Sequence, residues 1–187
     1  MSCDITQGRS VDCKNNIAGV KAVYFANYAD LLASDEFTTD AAGFVTEIQT
    51  TAALPLFKYS VRPESCEASS QMNTDANSGT TFFSQSLNLS LIGLTKEDCD
   101  ELKLLAYGRP NVIILDNNDN LFIFGARNGM NVTDSRMSIG RNFGDMHGFE
   151  ISLEGKESEY CLWINPTAGP QSAGYPFDGL TTAPSVS

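Results

Sequence analysis

The chain has 187 residues, 42% hydrophobic and 19% charged, a composition that favours one globular domain and excludes disorder over most of the length. Lysine and arginine number 12 and aspartate and glutamate 23, so the net charge is −11. This balance disfavours direct binding of nucleic-acid phosphates, which usually requires a basic patch. No apolar run approaches the roughly 20 residues of a membrane-spanning helix, and the first residues carry no secretory signal.

In chain order, the first half predicts a polar arm followed by strands. Residues 1–17 are polar and rich in turn formers, which favours an extended N-terminal arm. Strands rich in β-formers or alternating residues are expected at 21–28, 43–51 and 54–61. Residues 63–79 hold no apolar run and predict a loop. From Thr80 to Leu91 apolar and polar residues alternate, which is typical of a sheet with one buried and one wet face.

The second half predicts one helix, over about residues 95–106, and then further strands. Thr95 can cap the helix, acidic residues occupy its first turn, and Gly108 is expected to end it in a left-handed conformation. Further strands are expected at 111–115, 121–125, 148–155 and 160–164. Residues 126–147 are rich in glycine and asparagine and predict a long loop, of the kind that is usually functional or ordered by a partner.

Together these elements predict a mainly β fold of about seven or eight strands. The strands do not alternate with helices, so we expect an antiparallel β-sandwich or small barrel with the helix packed outside. The expected organisation is an arm at 1–17, a β domain at 18–164 and a flexible, exposed tail at 165–187, which is rich in proline, glycine, serine and threonine.

No motif indicates an active site, a metal site or a cofactor. Asp116 begins a D-x-N-x-N run, but Leu121 and Arg127 stand where a calcium loop needs glycine and a bidentate acid. His147 is the only histidine, and no nucleophile motif accompanies it. The five cysteines are odd in number and form no C-x-x-C pair, which favours reduced thiols. We therefore expect a protein that is not an enzyme, with an enzyme that uses His147 as a minor alternative.

Acidic residues and a loop with scattered apolar residues are more informative. Glu150 and Glu154 share the polar face of one predicted strand, and Glu47 lies on the polar face of another. Either these faces are simply solvated, or they form a wall that repels a polyanion. A β scaffold with polar arms and such a loop is typical of self-assembling subunits, because arms, loops and sheet edges are completed by the next copy.

From Thr80 to Gly155 the chain resembles the tail tube family of tailed bacteriophages, which shares its fold with type VI secretion tube proteins. The resemblance rests on the order of an amphipathic strand (TTFFSQSLNLSL), a capped helix (LTKEDCDELKLLAYG), a hairpin (NVIILDNNDNLFIFG), a long loop and an acidic alternating strand (GFEISLEG). The opening, CDITQGRSVDCKNNIAGVKAVYFANY, is similar to the start of phage virion proteins associated with this group.

The resemblance implies a virion subunit without catalytic function. Such subunits form hexameric rings that stack into a hollow tube, with an inner barrel shared between copies and the helix outside. The implied partners are further copies of the chain and other tail proteins, such as sheath, terminator or baseplate. DNA passes through a negative lumen without specific binding, and no membrane is involved. The implied location is the virion tail, after assembly in the host cytoplasm.

Carried onto this sequence, the resemblance implies candidate lumen and inter-ring residues. The candidate lumen residues are Glu47, Glu150 and Glu154. The candidate inter-ring loop contains Met130, Val132, Met137, Ile139 and Phe143. Residues 165–187 do not match the family core, and the alternative function is another virion part: a tail terminator, a neck or baseplate ring, or a capsid decoration protein.

Overall fold

The computed structural model describes residues 8–9, 14, 16–28, 30–31, 36–48, 54–165, 170–171 and 174–187. Most of the expected N-terminal arm, and the end of the strand expected at 43–51, lie outside these residues. Over the described part of the chain the fold is a mainly β sandwich of two sheets with one α-helix, as predicted.

Within the described residues, six strands precede the helix and six follow it. The first six are β1 Val20–Ala26, β2 Thr38–Thr39, β3 Val45–Glu47, β4 Pro55–Ser60, β5 Cys66–Asp75 and β6 Thr80–Ile92. The helix and the later strands are α1 Lys96–Tyr107, β7 Asn111–Asp116, β8 Leu121–Phe124, β9 Asn131–Ser138, β10 Gly148–Glu157, β11 Leu162–Ile164 and β12 Ser185–Val186. An eight-stranded sheet has the order β12-β4-β1-β7-β8-β11-β3-β2, and a four-stranded sheet has the order β5-β6-β10-β9.

The central strands of the eight-stranded sheet, β1, β7 and β8, are buried on both faces. Side chains alternate between two hydrophobic clusters along these strands. Tyr24 and Ile113 join the cluster on one face, and Val23 and Ile114 join the cluster on the other. This explains the nearly unbroken apolar runs of β1 and β7, because a strand covered on both sides needs apolar residues at every position.

The second cluster fills the space between the two sheets. Leu87 and Leu89 of β6 and Ile151 and Leu153 of β10 face inward and are almost fully buried. Leu102 of α1 joins the same cluster and anchors the helix. The alternation predicted for β6 and β10 is therefore confirmed, and it sets which face of the four-stranded sheet meets solvent.

The helix begins as predicted but ends differently. The Thr95 hydroxyl accepts a hydrogen bond from the Asp98 amide at 3.0 Å, which satisfies one of the free amides of the first turn. Gly108 has a φ of −88°, so the predicted left-handed conformation at this glycine is wrong. Its amide instead donates to the Leu104 carbonyl at 3.1 Å, and Pro110 follows two residues later.

Two segments predicted as loops are strands. Residues 63–79 contain β5, which pairs with β6 over its whole length from Cys66 to Asp75. Residues 126–147 contain β9, which pairs with β10 and has a register shift near Thr133. Both predictions failed because these strands lie at sheet edges, carry few large apolar residues and gain their order from hydrogen bonds to a neighbour.

The C-terminal segment also departs from expectation. Phe177 and Leu180 are buried in the core cluster of the eight-stranded sheet, and Phe177 packs edge-on against Tyr24 at 5.0 Å between ring centroids. The Tyr175 hydroxyl donates to Asp119 at 2.5 Å, and β12 pairs with β4. Residues 175–180 are thus packed against the sheet and not exposed as expected, whereas residues 181–187 are mostly exposed.

Candidate assembly surface

The outward side of the four-stranded sheet forms a continuous hydrophilic surface between the exposed Phe82 and Ile92 of β6, and we call this surface the polar face. Register places side chains from all four strands in common rows, and one such row is Glu67, Asn88, Ser152 and Asp134. The polar face comprises Glu67, Ser69, Gln71, Ser84, Ser86, Asn88, Ser90, Asp134, Arg136, Glu150, Ser152, Glu154 and Lys156. Four carboxylates and two cations leave it with a net charge of −2.

Short polar side chains on this face bond to one another across the strands. The Ser69 and Ser86 hydroxyls lie 2.8 Å apart, and the Asn73 amide donates to the Ser84 hydroxyl at 2.9 Å. The Thr133 hydroxyl donates to the Ser152 carbonyl at 3.2 Å. Such pairs stabilise neighbouring strands without offering an apolar surface to a ligand.

An open groove of about 660 Å³ runs over the polar face. Serine, threonine, asparagine, glutamine and glycine line it, together with Arg109, Glu154 and Lys156. Pockets for small organic ligands are mostly apolar with a few converging polar groups, and this groove has the opposite composition. Its chemistry instead suits contact with water or with a hydrated polymer.

Both edges of the four-stranded sheet are free of further strands among the described residues, although α1 lies close to part of β9. β5 pairs only with β6 and β9 only with β10, so the outer side of each edge strand meets no described strand. These edges are ten and eight residues long. An open edge of this length offers backbone amides and carbonyls to a further strand, as edge strands in assembling proteins do.

The candidate lumen residues do not share one surface. Glu150 and Glu154 lie on the polar face and are exposed. Glu47 lies on β3 of the other sheet, where its carboxylate accepts a hydrogen bond from the Thr38 hydroxyl at 3.2 Å. The structure therefore brings together two of the three predicted residues and separates the third.

The candidate inter-ring residues fall into two groups. Met130 is fully buried and Val132 packs against the core between the sheets, so neither belongs to an exposed loop. Met137 lies on β9 and is half exposed, while Ile139 and Phe143 are exposed in the β9–β10 connection. A bridging role can thus involve only the last three residues of the set.

A buried polar cluster fixes the turn that leads into β9, and Gln85 at an inward position of β6 was a local signal for it. The Gln85 side chain accepts the Gly125 amide at 2.7 Å, and the Asn111 amide group donates to the Gly125 carbonyl. The Glu157 carboxylate accepts the Arg127 and Asn128 amides at 3.2 and 2.8 Å. Burial raises the pKa of Glu157 above its ordinary value, although these amides favour the charged form.

The catalytic and metal candidates stay isolated in the structure. The Asp145 carboxylate accepts the Arg141 and Asn142 amides at 2.8 and 2.7 Å, and these bonds lower its pKa. The Asp145 carboxylate is therefore held by the backbone of its own turn. His147, two residues further along the chain, is exposed. The Asp116 carboxylate likewise accepts hydrogen bonds from the backbone amides of Asn118 and Asn120, as aspartates in hairpin turns do. Within the described ranges, no group of three or more potential ligands could hold a metal ion.

The described cysteines are free thiols. They are Cys66, Cys99 and Cys161. Burial raises the pKa of the Cys66 thiol to about 12, so it stays protonated and unreactive at neutral pH. Cys3 and Cys13 lie outside the described residues. In the described part of the chain, no helix is long and apolar enough to cross a membrane.

Comparisons with known proteins give one match. No protein-family model matches the chain, and no curated protein matches it. Among solved structures, the chain is similar to one described as "Virion of native gene transfer agent (GTA) particle", with 10% identity and a TM-score of 0.36. The match covers 74% of this chain and 98% of that chain. Its description names a virion particle.

Proposed function

We propose that this protein is a virion structural protein, and specifically a bacteriophage tail tube subunit without catalytic activity or cofactor. In this proposal copies form stacked, hexameric rings, and the rings form a hollow tube through which DNA passes. The observation that carries the proposal is the four-stranded antiparallel sheet with two free edges and one hydrophilic, acidic face. The resemblance of residues 80–155 to the tail tube family supports it.

Strand direction supports ring closure through these edges. Along the order β5-β6-β10-β9 every neighbour is antiparallel, so β5 and β9 run in opposite directions. When β9 of one copy meets β5 of the next, the antiparallel alternation continues without interruption. Such a contact joins two different edges, and a rotation repeats it until the ring closes. Closure then leaves no open edge in the inner sheet.

The closed barrel that six joined sheets would form is wide enough for a channel. Six copies of a four-stranded sheet would supply about 24 strands, and at ~4.8 Å between strands these give a circumference of about 115 Å and a backbone diameter of about 37 Å. Barrels with fewer strands already enclose an aqueous channel. The polar face would line this channel, because the other face of the sheet is buried against the eight-stranded sheet.

The charge of the polar face fits a channel that does not retain DNA. Its net charge is −2 per copy, and the whole chain carries −11. Proteins that bind DNA do so by releasing counterions from phosphates with lysine and arginine, and an acidic wall repels the same phosphates. Glu150 and Glu154 are the exposed carboxylates at the centre of the proposed wall.

Electron microscopy of the purified chain over a range of concentrations tests the proposal. We expect hollow rings that stack into tubes as concentration rises. Rings that never stack would instead favour a terminator, neck or baseplate ring, for which one set of copies per particle is enough. If the chain stays monomeric up to its solubility limit, both the proposed tube and the alternative single ring would be contradicted.

A further inference from the structure

The two free edges of the four-stranded sheet differ in charge on the polar face: β9 carries Asp134 and Arg136, and β5 carries Glu67. Arg136 is exposed on β9, directly across from Glu150 of β10. The ion pairs seen among the described residues, Lys21 with Asp119 and Lys96 with Asp100, do not involve it. Glu67 is exposed on β5.

Only some registers between two copies are compatible with this surface. A one-residue shift would turn the side chains of the second copy to the opposite face, so shifts must be even. With no shift, Glu67 of the second copy is level with Asp134, because these residues share one row of the sheet. Two carboxylates would then lie side by side at the junction, which is unfavourable.

A shift of two residues toward the end of β9 removes this repulsion. Glu67 of the second copy then lies level with Arg136, which is two positions beyond Asp134. Ser69 becomes level with Asp134, and its hydroxyl can donate to that carboxylate. A closed barrel also requires its strands to be staggered, so a non-zero shift at each junction is expected on geometric grounds.

We propose that Glu67 and Arg136 form an ion pair between neighbouring copies, and that this pair sets the register of the ring junction. The inference rests on the proposed function, because it takes the occupant of each edge to be a second copy of this chain. It adds which residues recognise each other and in what alignment.

Charge reversal at each edge, alone and in mixture, tests the pair. Arg136→Glu and Glu67→Arg should each raise the concentration needed for half-maximal assembly by about tenfold, because attraction at every junction becomes repulsion. A 1:1 mixture of the two variants should assemble at the wild-type concentration. In the mixture, alternating copies restore an opposite-charge pair at every junction, and a hexamer has the even number of copies that alternation needs.

Two control variants and a salt series separate this effect from damage to the fold or to the face. Lys156→Glu and Glu97→Arg make equivalent charge changes away from the two edge strands, on β10 and on α1, and should assemble like wild type. The deficit of the two edge variants should shrink in about 1 M salt, where charge interactions are screened within ~3 Å. Thermal melts of Glu67→Arg and of the two controls should match that of the wild type, whereas Arg136→Glu, which places a carboxylate opposite Glu150 in its own copy, should melt slightly lower.

The outcomes distinguish the pair from the proposed function. If wild-type rings form and both edge variants assemble like wild type, the pair is wrong and the ring stands. If each edge variant fails and the mixture fails too, the loss has another cause and the pair is again overturned. If the wild type forms no rings, the proposed function fails, and the pair fails with it.

Discussion

The central strands of the eight-stranded sheet are buried on both faces, whereas the four-stranded sheet buries one face and exposes the other. In β7 every residue from Asn111 to Leu115 is buried. In β10 buried Ile151 and Leu153 alternate with exposed Glu150 and Glu154. The same chain therefore contains one sheet whose centre is core on both sides and one that is half surface.

This difference in burial implies that the two sheets have separate roles. A sheet covered on both sides contributes apolar burial and can present only its edges to a partner. The one-sided sheet supplies a broad hydrophilic surface and two free edges, while its inner side still holds the fold together. Substitutions in the clusters should thus change the free energy of unfolding, and substitutions on the polar face should change assembly or DNA contact instead.

The largest loss of stability is expected at the C-terminal cover of the eight-stranded sheet. Phe177→Ala should lower the free energy of unfolding by about 3–5 kcal/mol, because it removes a ring that is 2% exposed and packs on Tyr24. Urea denaturation measures this. Phe143→Ala, the same change at a fully exposed position, is the matched control and should stay within about 0.5 kcal/mol of wild type. Equal effects of Phe177→Ala and Phe143→Ala would show that Phe177 does not contribute to the core of the eight-stranded sheet.

A comparable loss is expected inside the four-stranded sheet. Leu87→Ala should cost about 2–5 kcal/mol, since Leu87 is fully buried between the two sheets. Leu104→Ala on the exposed side of α1 is the control, because Leu104 is 63% exposed. A cost below about 1 kcal/mol for Leu87→Ala in urea denaturation would show that the inner face is not core.

How much of this could be predicted depended on the strength of each local pattern. β6 alternates from Phe83 to Leu91 and α1 has a capping threonine, so both were predicted from local residues. β5 offers only Cys66, Ala68, Ser70 and Met72 to the inner side, which is too weak a signal for a strand. Its order comes from pairing with β6, which lies beyond any local pattern.

The candidate site residues could likewise be predicted only where the local pattern was clear. Glu150 and Glu154 were predicted to share a face because both lie on one strand with clear alternation. Glu47 was named beside them but lies on the other sheet, since alternation gives the face of a residue but not the sheet to which its strand belongs. Glu67 and Arg136 were missed because their strands were predicted as loops.

A smaller effect, which depends on pH, is expected at Glu157. Its folded-state pKa is raised by burial, so its contribution to stability is greatest below about the ordinary value of 4.5 and is lost as pH rises through the raised pKa. Glu157→Gln keeps an acceptor for the Arg127 and Asn128 amides but removes the buried charge. The variant should be at least as stable as wild type at pH 7, with the difference narrowing as pH falls.

Urea denaturation at several pH values measures this difference, and the other carboxylates cancel because both proteins contain them. Glu154→Gln is the matched control on the same strand, where the carboxylate is exposed. A Glu157→Gln variant that is clearly less stable than wild type at pH 7 would mean that the charged carboxylate is needed to hold the turn at residues 125–129.

The smallest effect on stability, and the sharpest on function, is expected on the polar face. Glu150→Lys combined with Glu154→Lys should leave the free energy of unfolding within about 0.5 kcal/mol, because both side chains are exposed. It changes the net charge of the face from −2 to +2 per copy, so the assembled variant should bind duplex DNA, with an affinity that falls steeply as salt rises. Wild-type assemblies should show no such binding in fluorescence anisotropy.

Glu97→Lys combined with Glu101→Lys on α1 makes the same charge change outside the proposed channel. If the helix variant retains DNA as strongly as the polar-face variant, overall charge decides DNA contact and the polar face has no special role as the channel wall.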